Sequence, residues 1–200
     1  MNTKYHMILG SSSPRRKQLM EGLGLPFDTA TIHGIDEDNL PKDIEPADIP
    51  LHLAQTKSYA YQKPLQGNDL IITADTLVYQ EQSVLGKPQN HEQACHMLRQ
   101  LSGRCHKVVT GVFLRSSEEH KIASGFTDTT RVWFSHLEEE EIQYYVNTYK
   151  PYDKAGAYGV QEWIGYIGIE RIEGSFYNVM GFPIHAFWAF LKRCKVVEFL

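Results

Sequence analysis

Asp75 stands in the middle of Leu70-Ile-Ile-Thr-Ala-Asp-Thr-Leu-Val-Tyr79, the most strand-like run in the chain and apolar at both ends. A carboxylate set into such a strand needs a metal ion, a cation or several hydrogen-bond donors to offset its lost hydration, which marks a site residue unless it merely caps a strand end or turn. Charged residues at loop and element boundaries can meet that need: Arg15, Arg16, Glu37, Lys57, Lys87 and Lys154. Together they offer cations able to hold a polyphosphate and planar guanidinium forks for phosphate oxygens. With Asp75, Glu37 makes a second carboxylate for a hard divalent ion that keeps waters of its own. Taken singly, each has a plainer reading. Lys57 falls four residues past Leu53, on or beside an apolar helical stripe where a lysine runs its stem along the surface. Lys87 and Lys154 read as surface lysines.

These residues need elements to position them. Tyr5 to Leu9 reads as a strand, and Gly-Ser-Ser-Ser-Pro-Arg-Arg follows, leading a short helix with Leu19, Met20 and Leu23 inward. Ser13 suits its N-cap, Pro14 its first turn and Gly22/Gly24 its stop. A helix starting right after a strand aims unpaired backbone N–H groups at the sheet edge, where an anion is welcome. Residues 29–46 form a polar loop, after which Ile49, Leu53, Ala54 and Ala60 recur at helical spacing.

Asn90-His-Glu-Gln93 reads as a capping box for a helix with Ala94, Met97, Leu98 and Leu101 inward, and strands follow at 106–115 and 121–134. Ser135-His-Leu-Glu138 reads as a second box, leading a helix with Ile142, Tyr145, Val146 and Tyr149 inward. Residues 151–161 are too glycine-rich for a helix and form a loop that brings backbone close to something. Tyr166 to Ile172 is strand-like, and Pro183 opens a last helix with Ile184, Phe187, Trp188 and Leu191 inward. Strands and helices mix without repeats, which makes an α/β fold, single-domain or bilobed.

Composition narrows the function. The 200 residues carry 20 Lys plus Arg against 24 Asp plus Glu, a formal charge of −4, which argues against a protein that works by neutralising a nucleic-acid backbone. No run approaches the roughly 18 apolar residues that span a bilayer, and the polar start is no signal peptide, so a soluble, cytoplasmic protein is expected. Cys95, Cys105 and Cys194 form no CxxC pair and read as small, reduced, buried thiols. There is no GxxxxGK[ST], GxGxxG or GxSxG motif. His91-Glu-Gln-Ala-Cys-His96 imitates a zinc-binding helix, but its histidines stand five apart, about 140° around the axis, and cannot share one ligand face.

The motifs ILGSSSPRR at 8–16, IDE at 35–37, LAQTKSYA at 53–60, ITADTLVY at 72–79, LGKP at 85–88, MLRQLSGRCHKVVTGV at 97–112, YDKAGAYGVQ at 152–161 and IEGSFYNVMGFP at 172–183 resemble the Maf family of nucleoside triphosphate pyrophosphatases. The resemblance runs in order over residues 5–193. It implies one Maf-like domain over residues 1–200, an α/β fold similar to inosine triphosphatases, with a long mixed central sheet flanked by helices and two lobes around a cleft. It further implies cleavage of a nucleoside triphosphate between its α and β phosphates. DKAGAYGVQ resembles the dTTP/UTP branch. A 7-methyl-GTP or broader modified-nucleotide pyrophosphatase, or a nucleotide-binding regulator of septum formation, are the alternatives.

By the same resemblance Asp75 is the proton acceptor, while Arg15, Thr76 and Gln161 tune base specificity. The mechanism this implies has Asp75 and Glu37 holding Mg2+ or Mn2+, and Arg15, Arg16, Lys57, Lys87 and Lys154 clamping the triphosphate. Ser11, Ser13 and the helix N-terminus add donors. A homodimer is expected, with no nucleic-acid or membrane partner. The chain departs from the family pattern at Gly10, Thr73 and Lys150, and at Glu162-Trp163, where glycine usually follows the glutamine.

Overall fold

A computed structural model describes residues 2–35, 40–41, 43–81 and 83–198. In chain order the elements are β1 (Asn2–Thr3), β2 (His6–Gly10), α1 (Pro14–Glu21), β3 (Phe27–Ala30), α2 (Ile49–Tyr59), β4 (Asp69–Gln80), β5 (Ser83–Leu85), α3 (His91–Leu101) and β6 (Cys105–Ser116). There follow β7 (Ala123–Phe134), α4 (Glu139–Tyr149), α5 (Trp163–Gly168), β8 (Ile169–Glu173), α6 (Phe176–Met180), α7 (Ile184–Arg193) and β9 (Val197–Glu198), with single 3-10 turns at Pro46–Asp48 and Ala155–Ala157. The central sheet takes the order β3-β2-β4-β6-β7-β8, with β5 paired to β4. It is mixed: β2 runs parallel to β3 and β4, whereas β5 is antiparallel to β4 and β8 to β7. This is the mixed α/β architecture expected from the sequence.

The chain forms two compact units, and β4, β6 and β7 each contribute residues to both. The first unit comprises residues 1–75, 110–128 and 181–200. Its core joins Met7 and Leu9 of β2, Met20 of α1, Leu70 and Ile72 of β4, and Phe187, Phe190 and Leu191 of α7. β2 and β4 are buried on both faces, which explains their near-continuous apolar runs. α2 is pinned by polar contacts. Thr73 Oγ1 donates to the carbonyl of Ala54 at 2.6 Å, and Arg115 Nη2 donates to the carbonyl of Ser58 at 2.6 Å.

The second unit comprises residues 76–109 and 129–180. Ala94, Leu98 and Leu101 of α3 and Ile142, Tyr145 and Val146 of α4 are buried there, as their spacing requires. Arg99 ties the two helices by a two-pronged contact to Glu139 at 2.6 and 2.8 Å. His106 donates to or accepts from the Tyr158 hydroxyl at 2.8 Å and stacks on Phe134; burial pushes its pKa down to about 3, so it stays neutral.

Several local expectations are corrected. Ser135 does not cap α4. The box is Glu138 with Glu141, one turn later, because the acidic run itself supplies side chains that reach both orphan N–H groups. Asn90 caps α3 as expected, but Gln93 reaches back to the amide of Gln89 instead of Asn90. Tyr166 is helical within α5, and the strand starts only at Ile169. Tyr149 is exposed at the end of α4, and Cys105 is exposed at the start of β6. Phe176–Met180, between the expected strand and the last helix, is a short helix.

Candidate active site

Asp75 is the feature around which the first unit's chemistry gathers. It is 8% exposed on a strand whose preceding five residues are all buried. Strand alternation puts it on the same face as Thr73, and Thr73 is the residue that docks α2 through Ala54. One turn on from Ala54, Lys57 turns inward and its ammonium donates to Asp75 Oδ1 at 2.5 Å. The pair is shielded, with side chains 16% and 11% exposed. Lys57 read alone as a surface-running lysine; the structure makes it the cation that the buried carboxylate required.

The serine-proline-arginine corner belongs to the same unit and is tied to the same strand. Ser13 is the N-cap of α1 and accepts from the amide of Arg16, while Ser11 Oγ accepts from the amide of Ser13 at 3.2 Å. Arg16 Nη1 donates to the carbonyl of Ala74 at 2.7 Å, and its Nε donates to the carbonyl of Gly181 at 2.9 Å. The guanidinium therefore fastens the start of α1 to the residue before Asp75 and to the turn that precedes α7. Arg15 is half-buried in the first turn of α1. Glu37 lies outside the described residues.

Thr76, Lys87, Lys154 and Gln161 belong to the second unit. Thr76 is half-buried on β4, and Lys87 is exposed on the coil after β5. The Gly86 carbonyl beside it accepts from the amide of Gly156 at 3.0 Å, which joins the Lys87 segment to the Lys154 loop. Gly156 has φ +69, and a Cβ there would meet the Val78 side chain at 3.1 to 3.3 Å, so the loop is pressed onto β4 at a position that disfavours any side chain.

Lys154, which read as a surface lysine, is buried. Its ammonium lies 2.7 Å from Asp153 and 3.0 Å from Glu162. Gln161 Oε1 is buried with no hydrogen-bond partner among the described residues. Two residues of this network were not among the expected site residues: Glu162, which read as a departure from a motif, and Tyr145, which read as part of an apolar stripe and whose hydroxyl donates to Glu162 Oε2. The available signal was Tyr145 itself, since a tyrosine on an inner stripe needs a partner for its hydroxyl.

Among the described residues no three His, Cys, Asp or Glu side chains cluster in a metal-binding group. Among the described residues no helix is long and apolar enough to cross a membrane. Cys95, Cys105 and Cys194 are free thiols.

The architecture has a counterpart among solved structures. A HAM1 protein from Coxiella burnetii superposes with a TM-score of 0.54 at 12% identity, covering 94% of this chain and 99% of that one. At that identity the likeness concerns the fold, that of a mixed α/β protein with a long central sheet. The family model described as Maf-like protein matches residues 6–194, and the chain belongs to the Maf family. Its relatives include a dTTP/UTP pyrophosphatase of Porphyromonas gingivalis, 50% identical over 191 residues (94% of each chain), and one of Bacteroides thetaiotaomicron, 51% identical over 190 residues (95% of this chain and 96% of that one).

Proposed function

We propose that this protein hydrolyses dTTP and UTP to the nucleoside monophosphate and pyrophosphate. The observation that carries the reading is the shielded Asp75–Lys57 pair, in a chain half identical over nearly its whole length to proteins named for that activity. Cleaving a phosphoanhydride asks for charge neutralisation and an aligned water far more than for covalent help. In this reading Asp75 accepts the proton of the attacking water. Lys57 holds that carboxylate in one orientation and brings positive charge to the phosphates.

Ser11, Ser13 and the first-turn amides of α1 donate to phosphate oxygens, and Arg15, Lys87 and Lys154 neutralise them. Arg16, two of whose nitrogens serve backbone carbonyls, acts chiefly by holding the Ala74–Asp75 backbone in place. Gln161 and Thr76 face the base. Gln161 Oε1, which has no hydrogen-bond partner among the described residues, is an acceptor suited to the ring N–H that thymine and uracil share.

A divalent cation, Mg2+ or Mn2+, belongs to the same proposal, held by Asp75 and Glu37. A hard carboxylate suits it, and such ions in nucleotide enzymes take one or two carboxylates and complete their shell with water and substrate phosphates, so a three-residue protein cluster is not required. When bound, the ion neutralises charge on the phosphates and acidifies water. Free thiols throughout fit action in a reducing cytoplasm.

The test is incubation with dTTP, UTP and 7-methyl-GTP in the presence of Mg2+, with pyrophosphate counted as product. Release from dTTP and UTP well above that from 7-methyl-GTP is expected. Preferential turnover of 7-methyl-GTP would overturn the base assignment, and phosphate in place of pyrophosphate would overturn the bond assignment.

A further inference from the structure

Lys154 is held in a way that no surface lysine needs. Its side chain is 9% exposed, and two carboxylates face its ammonium. They are unequal partners. Asp153 is the adjacent residue and its side chain is 57% exposed, so water screens its contact with the ammonium. Glu162 is the more shielded, at 20% exposed, and both of its oxygens are engaged. Its Oε1 faces the ammonium, and its Oε2 accepts a short hydrogen bond from the hydroxyl of Tyr145, a fully buried residue of α4.

The same hydroxyl accepts from the amide of Gly159 at 3.0 Å, and the amide of Glu162 donates to the carbonyl of Gly159 at 3.0 Å. A Cβ on Gly159 would come within 2.6 Å of Glu162 Cδ, so the carboxyl group lies close against that backbone. Burial, reinforced by the Glu162 carboxylate, raises the phenol's pKa above the usual tyrosine range and keeps it a donor.

We propose that Glu162, fixed by Tyr145, is a positioning residue for nucleotide turnover: it keeps the Lys154 ammonium in the buried loop and directed at the substrate's phosphates. The physical reason is the cost of a shielded cation that has lost its shielded partner. Without Glu162 the ammonium keeps the exposed carboxylate of Asp153 at 2.7 Å and is drawn with it toward water, away from the phosphates. With Glu162 in place, two of the three ammonium donors meet carboxylates among the described residues, and one remains for a phosphate oxygen. Glu162 also closes the turn from Gly159 and so fixes the backbone that carries Gln161.

This inference rests on Lys154 binding phosphate, and the experiment separates the two ideas. Inhibition of dTTP hydrolysis is measured with inorganic tripolyphosphate, which probes the phosphate sites, and with thymidine, which has no phosphate. Melting temperature serves as a folding control. Lys154→Met and Glu162→Gln are each expected to weaken tripolyphosphate inhibition by about tenfold, the worth of one charge-assisted hydrogen bond, with thymidine inhibition unchanged. The double variant should be no worse than Lys154→Met alone.

Glu162→Asp should restore part of the loss. Tyr145→Phe, which spares the charge, should give a smaller loss in the same direction and stands in if Glu162→Gln does not fold. Normal tripolyphosphate inhibition in Glu162→Gln beside a weakened Lys154→Met overturns the positioning role and leaves the lysine's role intact. Unchanged inhibition in Lys154→Met overturns the phosphate role itself. Equal weakening of both inhibitors in Glu162→Gln, with a lowered melting temperature, reduces Glu162 to a structural part.

Discussion

Each unit contains a shielded lysine–carboxylate pair, and the two are built in opposite senses. In the first, the carboxylate of Asp75 projects from the interior of a strand, and a lysine from a docked helix comes to meet it. In the second, the lysine sits in a glycine-rich loop, and a carboxylate locked by a tyrosine comes to meet it. Rigidity alone does not tell which member works. In the proposed reading Asp75, held by its strand, is the working member of the first pair, whereas in the second the anchored member, Glu162, positions the working lysine on the loop. A pair of opposite charges is thus a poor guide to chemistry until one asks which charge the backbone was built to present.

The most forceful way to break this comparison is Asp75→Asn. If Asp75 is the working member of its pair, kcat for dTTP should fall by about a thousandfold or more, because the group acts on the reacting water. The melting temperature should change little, since asparagine still accepts from Lys57. A turnover close to the parent's would place the proton acceptor elsewhere and make the first pair as structural as any core contact.

Lys57→Met sharpens the same contrast from the other side. Removing the cation leaves a carboxylate shielded and unpaired, which should lower stability by about 1 to 3 kcal/mol in urea unfolding and lower kcat by about a hundredfold. The double variant Asp75→Asn/Lys57→Met should recover most of the stability and none of the activity. If stability stays low in the double, Lys57 supports the helix through its stem and not through its charge.

The sequence was informative in just those respects in which the two pairs differ. Asp75 could be singled out because a carboxylate in a buried run is costly wherever its partner comes from. Lys57 stood out more weakly, since an apolar stripe tolerates a lysine stem. The partner itself was invisible, because the contact spans 18 residues and depends on Thr73 docking α2. The task given to Arg16 was hidden for the same reason: its acceptors are backbone carbonyls 58 and 165 residues away, and carbonyls leave no trace in residue type.

The second pair was obscured by periodicity. Tyr145 lies inward on α4 as the stripe required, but a stripe records burial and not the hydroxyl's acceptor. Tyr166 to Gly168 reads from the sequence as the start of a strand, but the segment Trp163–Gly168 is helical. Its first turn is closed by the Glu162 carbonyl, which accepts from the amides of Gly165 and Tyr166 at 2.9 and 3.3 Å. Tertiary contacts decide so short an element. The long elements, α2, β4, α3, β6 and β7, were legible because many residues repeat the same burial rule.

Gly156→Ala is the gentlest probe, and it asks whether the second pair depends on the shape of its loop. The residue has φ +69, and a methyl group there would press on Val78 at 3.1 to 3.3 Å. The left-handed backbone costs alanine about 1 to 2 kcal/mol, and the contact with a branched side chain anchored in β4 adds to it. The loop can relieve this strain by lifting, which would lengthen the Gly156 amide bond to Gly86 and draw Lys154 away from Glu162. Stability should then fall by roughly that amount, with KM for dTTP rising severalfold and kcat nearly unchanged, since Asp75 and Lys57 are untouched. A fall in kcat with KM preserved would mean that the loop governs the reacting water as well, and the division of labour between the two pairs would have to be redrawn.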